Sequence, residues 1–185
     1  MKDKKEVSDK QIEGFLKKGQ LLKNDEYKRL EKLYLTKSRK NFAIANLLFK
    51  ISEEEDLRKM LNLSSDFEMY DWAIIVSYYS MYTSALSALA KLGFKSKSHA
   101  ATIAVLRHSY VNGSKNNEII LEEKDIHKLM KAYTLSEQLI IKLIDTKTKR
   151  ETAQYDATPT ITREMAKTAL DDADEFIIKI EEILT

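Results

Sequence analysis

The chain has 185 residues, enough for one compact domain or a domain with an extension, and holds only four Gly, one Pro and no Cys. Average usage would give about thirteen Gly and about nine Pro, so many-turned β-sandwiches and Gly-rich phosphate loops fit poorly, while disulfides, thiolate metal sites and Cys nucleophiles are excluded. The net charge of +2 hides an asymmetry: residues 1–50 carry 14 Lys/Arg against 7 Asp/Glu, and the remaining 135 carry 17 against 22.

In chain order, Ser8 and Gln11 form a modest capping box for a weak helix reaching about Gly19. Asn24 and Asp25 start a longer helix running to roughly Ile51, with Ile44, Leu47, Leu48 and Ile51 as its expected buried stripe. Ser65 and Glu68 make a better capping box before Phe67–Leu92. There Phe67, Tyr70, Ile74, Tyr78, Met81, Ala85, Leu89 and Leu92 recur at helical steps, and Trp72, Val76, Tyr79 and Leu86 form a second apolar stripe. A helix apolar on most sides is buried by several neighbours, so this one is expected at the centre. Gly93 suits the position just past its end.

Ser98 caps a short helix from His99 to near Asn112, and residues 114–117 read as a polar loop. A long helix follows from about Glu122 to about Gln154, ahead of a turn at Asp156–Pro159. Thr160 or Thr162 caps the last helix, whose stripe of Ala166, Ala169, Leu170, Ala173, Phe176 or Ile177, Ile180 and Ile183 is close to ideal. The expected fold is all-α: an up-and-down bundle of four to five helices over residues 34–185, with residues 1–33 as a basic N-terminal helical extension. No apolar run reaches the length of a membrane span, and the Lys-rich N-terminus leads into no signal-peptide core. A cytoplasmic protein without membrane contact is the expectation.

Standard catalytic motifs are missing. The three His, at 99, 108 and 127, share no helical ligand spacing, and no metal or cofactor is expected. Acidic pairs such as Glu122–Glu123 and Asp171–Asp172 read as solvated charge. The segment from Lys147 to Asp156 is more distinctive, because Lys147, Lys149 and Arg150 crowd together before Tyr155 and Asp156. Cations at a helix C-terminus complement its dipole, which is the structural reading. In the functional reading Arg150 grips a phosphate bidentately while Tyr155 stacks on a base or donates a hydrogen bond.

Three blocks in their order resemble the HEPN domain (higher eukaryotes and prokaryotes nucleotide-binding). Ser77-Tyr78-Tyr79-Ser80-Met81-Tyr82-Thr83-Ser84-Ala85 is similar to the family's tyrosine-rich central helix. Gly93-Phe94-Lys95-Ser96-Lys97-Ser98-His99 looks like its helix-ending turn, followed by a His that opens the next helix. Arg150-Glu-Thr-Ala-Gln-Tyr155-Asp156 comes third, before Pro159 and a final amphipathic helix. Together the blocks span residues 70–185, and the helix at 37–51 suits the family's first.

Ribonuclease members of the family carry an Arg, four to six residues, then a His, usually meeting their copies across a dimer. Arg150 matches that Arg, but the positions where the His should fall hold Tyr155, Asp156 and Ala157. A Tyr with a pKa of about 10 is a poor general base at neutral pH, whereas a His at about 6.5 suits the task. His99 reads first as a structural residue bonding backbone groups in the first turn of its helix. The resemblance therefore implies a nucleotide- or RNA-binding subunit using Arg150, Tyr155, Asp156, Lys147 and Lys149. It also implies a homodimer and a separate small nucleotidyltransferase partner, as a toxin–antitoxin pair or a two-subunit enzyme. Two alternatives stay open: a metal-independent ribonuclease with an altered site drawn from Arg150, Tyr155 and His99, and a helical scaffold that binds another protein.

Overall fold

The computed structural model describes residues 9–111, 121–149 and 161–185, with side chains placed in all of these except 141–149. Four long helices dominate: α2 (Glu31–Glu53), α4 (Tyr70–Lys91), α6 (Glu123–Lys149) and α7 (Arg163–Leu184). Shorter helices are α1 (Asp9–Lys17), α3 (Glu55–Met60) and α5 (His99–Leu106). Cross-links fix the directions. Ser38 Oγ donates to Ser80 O at 2.8 Å and the Met69 amide donates to Ser52 Oγ at 2.8 Å, so α2 and α4 are antiparallel. Lys179 meets Asp125 at 2.8 Å and Lys128 meets Glu175 at 2.6 Å, so α6 and α7 are antiparallel too. Lys91 Nζ reaches Ile183 O at 2.5 Å, which brings the ends of α4 and α7 together. The result is the expected up-and-down bundle.

α4 is the central helix. Ile74, Tyr78, Met81, Ala85 and Leu89 are buried at helical steps, and all but Ile74 share a core cluster with Phe176 and Ile180 of α7. Fully burying each large apolar side chain contributes about 1.5–3 kcal/mol. This helix is long and apolar enough by itself to cross a membrane, yet it lies mostly buried inside the bundle. Its outer stripe departs from expectation, since Trp72 is 43% exposed and Tyr79 is 42% exposed. The buried positions there are instead the small residues Ala73, Ser77, Ser80 and Ser84, which let α2 approach closely. α2 differs in the same way: Ile44 and Leu47 are 48% and 50% exposed, while Ser38, Ala45, Ile51 and Ser52 are buried.

Helix ends follow local chemistry. The Ser65–Glu68 box does not form, because α4 begins at Tyr70 and the Met69 amide finds Ser52 instead. Asn24 caps a 3-10 segment, Asp25–Leu30, rather than opening α2 directly. Ser98 accepts from the Ala101 amide at 3.2 Å, and Thr162 accepts from Met165 at 3.3 Å, both as expected. Gly93 has φ +76°, and a side chain there would meet Asn24 O at 3.3 Å, so two constraints favour glycine.

The N-terminal arm packs on the same core. Ile12 and Leu21 share the main apolar cluster with residues of α4 and α5. β1 (Leu21–Lys23) pairs antiparallel with β2 (Phe94–Ser96), Leu21 opposite Ser96 and Lys23 opposite Phe94. Three-residue strands are too short to display alternation, so the sequence carried no strand signal.

Candidate functional site

His99 opens α5 directly after its cap, Ser98, and its ring turns towards α4 and α6. Tyr82 lies against it at 4.2 Å between ring centroids, and Tyr133 stacks on it at 4.2 Å and 22°. The Tyr78 hydroxyl lies 2.8 Å from ring nitrogens of His99. Tyr78 is 1% exposed, so its hydroxyl needs an internal partner, and the imidazole supplies one. The ring therefore bonds a tyrosine rather than neighbouring backbone groups, which corrects the first-turn expectation. Tyr78 is core, Tyr82 is half-buried and Tyr79 points outward.

Burial pushes the His99 imidazole below its ordinary value, and the Glu137 carboxylate pulls it partly back. Burial also raises the Tyr82 hydroxyl, against a hydrogen bond from Thr102. A neutral imidazole at physiological pH can accept or relay a proton. Phosphate chemistry also needs positive charge where the anion sits, and among the described residues the charge acting on His99 is a carboxylate. Tyr133 and Glu137 were missed as neighbours of His99, because spacing within α6 says nothing about which helix it will face.

Arg150, Tyr155 and Asp156 lie outside the described residues; Lys147 and Lys149 belong to the last turn of α6. At 1.5 Å per residue, the axis of α6 carries Lys149 about 24 Å from Tyr133 and hence from the His99 ring. Leu139 still packs in a cluster with Ala166 and Ile161 at the start of α7. Beyond it, α6 continues for about 15 Å. The return into α7 is anchored where Arg163 Nε donates to Glu53 Oε2 at 2.6 Å, with Tyr70 donating to Glu53 Oε1 at 2.6 Å. Arg163 also lies over the Phe49 ring at 5.9 Å. This junction holds the base of α7 against α2 and α4. The acidic pairs serve structure: Glu123 binds Arg107 and Asp172 binds Lys128. Among the described residues no His/Asp/Glu cluster could hold a metal ion.

The sequence profile of the HEPN domain matches residues 45–183, three quarters of the chain. The chain belongs to the HEPN domain family. The match opens midway along α2 and closes in the last turn of α7, so all four bundle helices contribute to it. α1, β1 and the 3-10 segment precede the matched HEPN region. Membership gives the chain a nucleotide- or RNA-related function in general terms. A search of curated proteins found no match.

Proposed function

We propose that this HEPN protein is a nucleotide- or RNA-binding subunit that grips phosphate with the cationic end of α6 and works with a separate small nucleotidyltransferase. The observation that carries the binding role is the separation of parts. Arg150 is followed by Tyr155 and Asp156 where a ribonuclease would have its His. His99, the histidine with a packed aromatic setting, opens α5 and stacks on Tyr133 near the middle of α6, about 24 Å along the axis from Lys149. Arg150 supplies the bidentate phosphate contact, Lys147 and Lys149 add charge, and Tyr155 stacks on a base or donates a hydrogen bond. Asp156 completes the groove. The nucleotidyltransferase, in a toxin–antitoxin or two-subunit arrangement, is a partner whose modification target would be Tyr155.

A homodimer accords with the apolar side chains left on the outer faces of α2 and α4. The bundle works in the cytoplasm, where its nucleotide or RNA ligand is at hand.

Incubation of the protein with mixed RNA in the presence of a chelator tests the reading. Intact RNA, together with binding weakened at least tenfold by Arg150→Ala, is the expected result. Metal-independent cleavage lost in Arg150→Ala would instead identify a ribonuclease, and equal binding by both proteins would leave a protein-interaction scaffold.

A further inference from the structure

A phosphate grip at the end of α6 leaves the basic N-terminal region without a role, and the fold gives part of that region a defined surface. β1 and β2 form a two-stranded ribbon with Leu22 opposite Lys95. Leu21, with no exposure, pins the ribbon to the core. The Asn24 amide donates to Gly93 O and the Lys97 amide to Gln20 O, each at 2.9 Å, closing the ribbon at both ends. Side chains alternate along a strand and directly paired residues share a face. Lys95 and Lys97 therefore lie on the face opposite buried Leu21, turned away from the core. Lys18 follows the end of α1, two residues before Gln20, whose carbonyl accepts from the Lys97 amide.

Residues 17–23 and 93–97 together hold five lysines and no carboxylate. Several cations elsewhere on the bundle are paired: Arg39 with Glu181, Arg107 with Glu123, Arg163 with Glu53 and Lys179 with Asp125. Among the described residues, none of Lys17, Lys18, Lys23, Lys95 and Lys97 has a carboxylate within ion-pair distance. Lys23 and Lys95 lie instead over the rings of Phe94 and Tyr27, at 5.4 and 5.8 Å. Like charges fixed on one rigid ribbon repel, and an external anion relieves that repulsion. Alternate strand residues stand about 6.7 Å apart, so the surface is a row of separate cations. A row suits a chain of phosphates better than a single anion.

We infer that the outward face of this ribbon, centred on Lys18, Lys95 and Lys97, is a second contact surface for the phosphate backbone of single-stranded RNA. The inference rests on the RNA-binding reading above and extends it from the end of α6 to the arm. Its contacts are electrostatic and indifferent to base sequence.

Binding of a fluorescein-labelled single-stranded uridine 20-mer, followed by anisotropy from 50 to 250 mM KCl, tests it. Each phosphate neutralised on a single strand contributes about 0.7 to the slope of log affinity against log salt. Lys18→Ala/Lys95→Ala/Lys97→Ala should lower that slope by about 2 and weaken binding at least tenfold at 150 mM, with an unchanged circular dichroism spectrum. The exchange Lys18→Gln/Lys97→Gln, which leaves both strands untouched, should lower the slope by about 1.4 and guards against a folding defect. If the wild type binds and Arg150→Ala weakens it while the ribbon variants keep the full slope, the ribbon assignment is wrong and the α6 site stands. Absence of wild-type binding at 50 mM KCl would overturn both. Duplex DNA bound as tightly as the uridine strand would overturn the assignment to single-stranded RNA.

Discussion

His99 shows how a single residue can be legible as a motif and illegible as a site. Its position after Ser98, opening a helix, could be read from the order of residues alone. Its partners could not, since Tyr82, Tyr133 and Glu137 come from two other helices. Their arrangement has a consequence for stability. Burial lowers the folded-state pKa of His99, so below about pH 6.5 the unfolded chain takes up a proton that the folded chain resists. The contribution of neutral His99 is fully present above that value and diminishes as pH falls beneath it. Urea midpoints compared at pH 7.5 and 5.5 should fall further for wild type than for His99→Gln. Equal falls would show that the ring titrates in the fold as it does in the unfolded chain.

Between elements, periodicity was a good guide where one face meets the core and a poor one where small residues mediate packing. α7 has a single apolar stripe, and Ala166, Leu170, Ala173, Phe176, Ile177, Ile180 and Ile183 are all buried. α2 and α4 instead meet through small and hydroxyl residues, so Ile44 and Leu47 of α2 and Trp72 and Tyr79 of α4, expected in apolar stripes, are exposed, while the main stripe of α4 and Ile51 are buried as expected. Packing through serines works because each hydroxyl can bond a carbonyl: Ser80 donates to Ser77 O at 2.6 Å, Ser84 to Met81 O at 2.7 Å and Ser87 to Ser84 O at 2.6 Å. Ser77 is the exception, with its Oγ fully buried and without a partner among the described residues. A buried hydroxyl without a partner costs about 1–3 kcal/mol. Ser77→Ala removes that cost and leaves a residue of nearly the same size, so the variant should be more stable by about 1 kcal/mol in urea unfolding. Ser84→Ala, which deletes a satisfied hydroxyl, should show no such gain. A destabilised Ser77→Ala would mean that the hydroxyl has a partner after all.

At the scale of the whole molecule, the misassigned side chains become the most informative surface. Class and direction of the bundle followed from stripe and cap patterns, whereas the arm's β-ribbon and the outer face of α2 and α4 depended on tertiary neighbours that no local window contains. Ile44, Leu47, Trp72 and Tyr79 are each more than 40% exposed on adjacent antiparallel helices. Single exposed apolar residues are ordinary, but several large ones on one helix pair have the character of a protein-contact surface. With a second copy as that partner, the same patch would meet itself across a two-fold axis, and Trp72, an aromatic anchor, would be buried near the contact. Trp72 is the one tryptophan in the chain, so its fluorescence reports on this face alone. Sedimentation equilibrium should give twice the chain mass, and dilution through the dissociation range should shift Trp72 emission to the red. Leu47→Glu/Tyr79→Glu places two carboxylates on the face while leaving the buried stripe of α4 intact. It should sediment as a monomer with unchanged helicity and red-shifted emission at every concentration. A variant that stays dimeric with red-shifted emission would put the contact elsewhere, and a wild type that sediments as a monomer would sink the homodimer altogether.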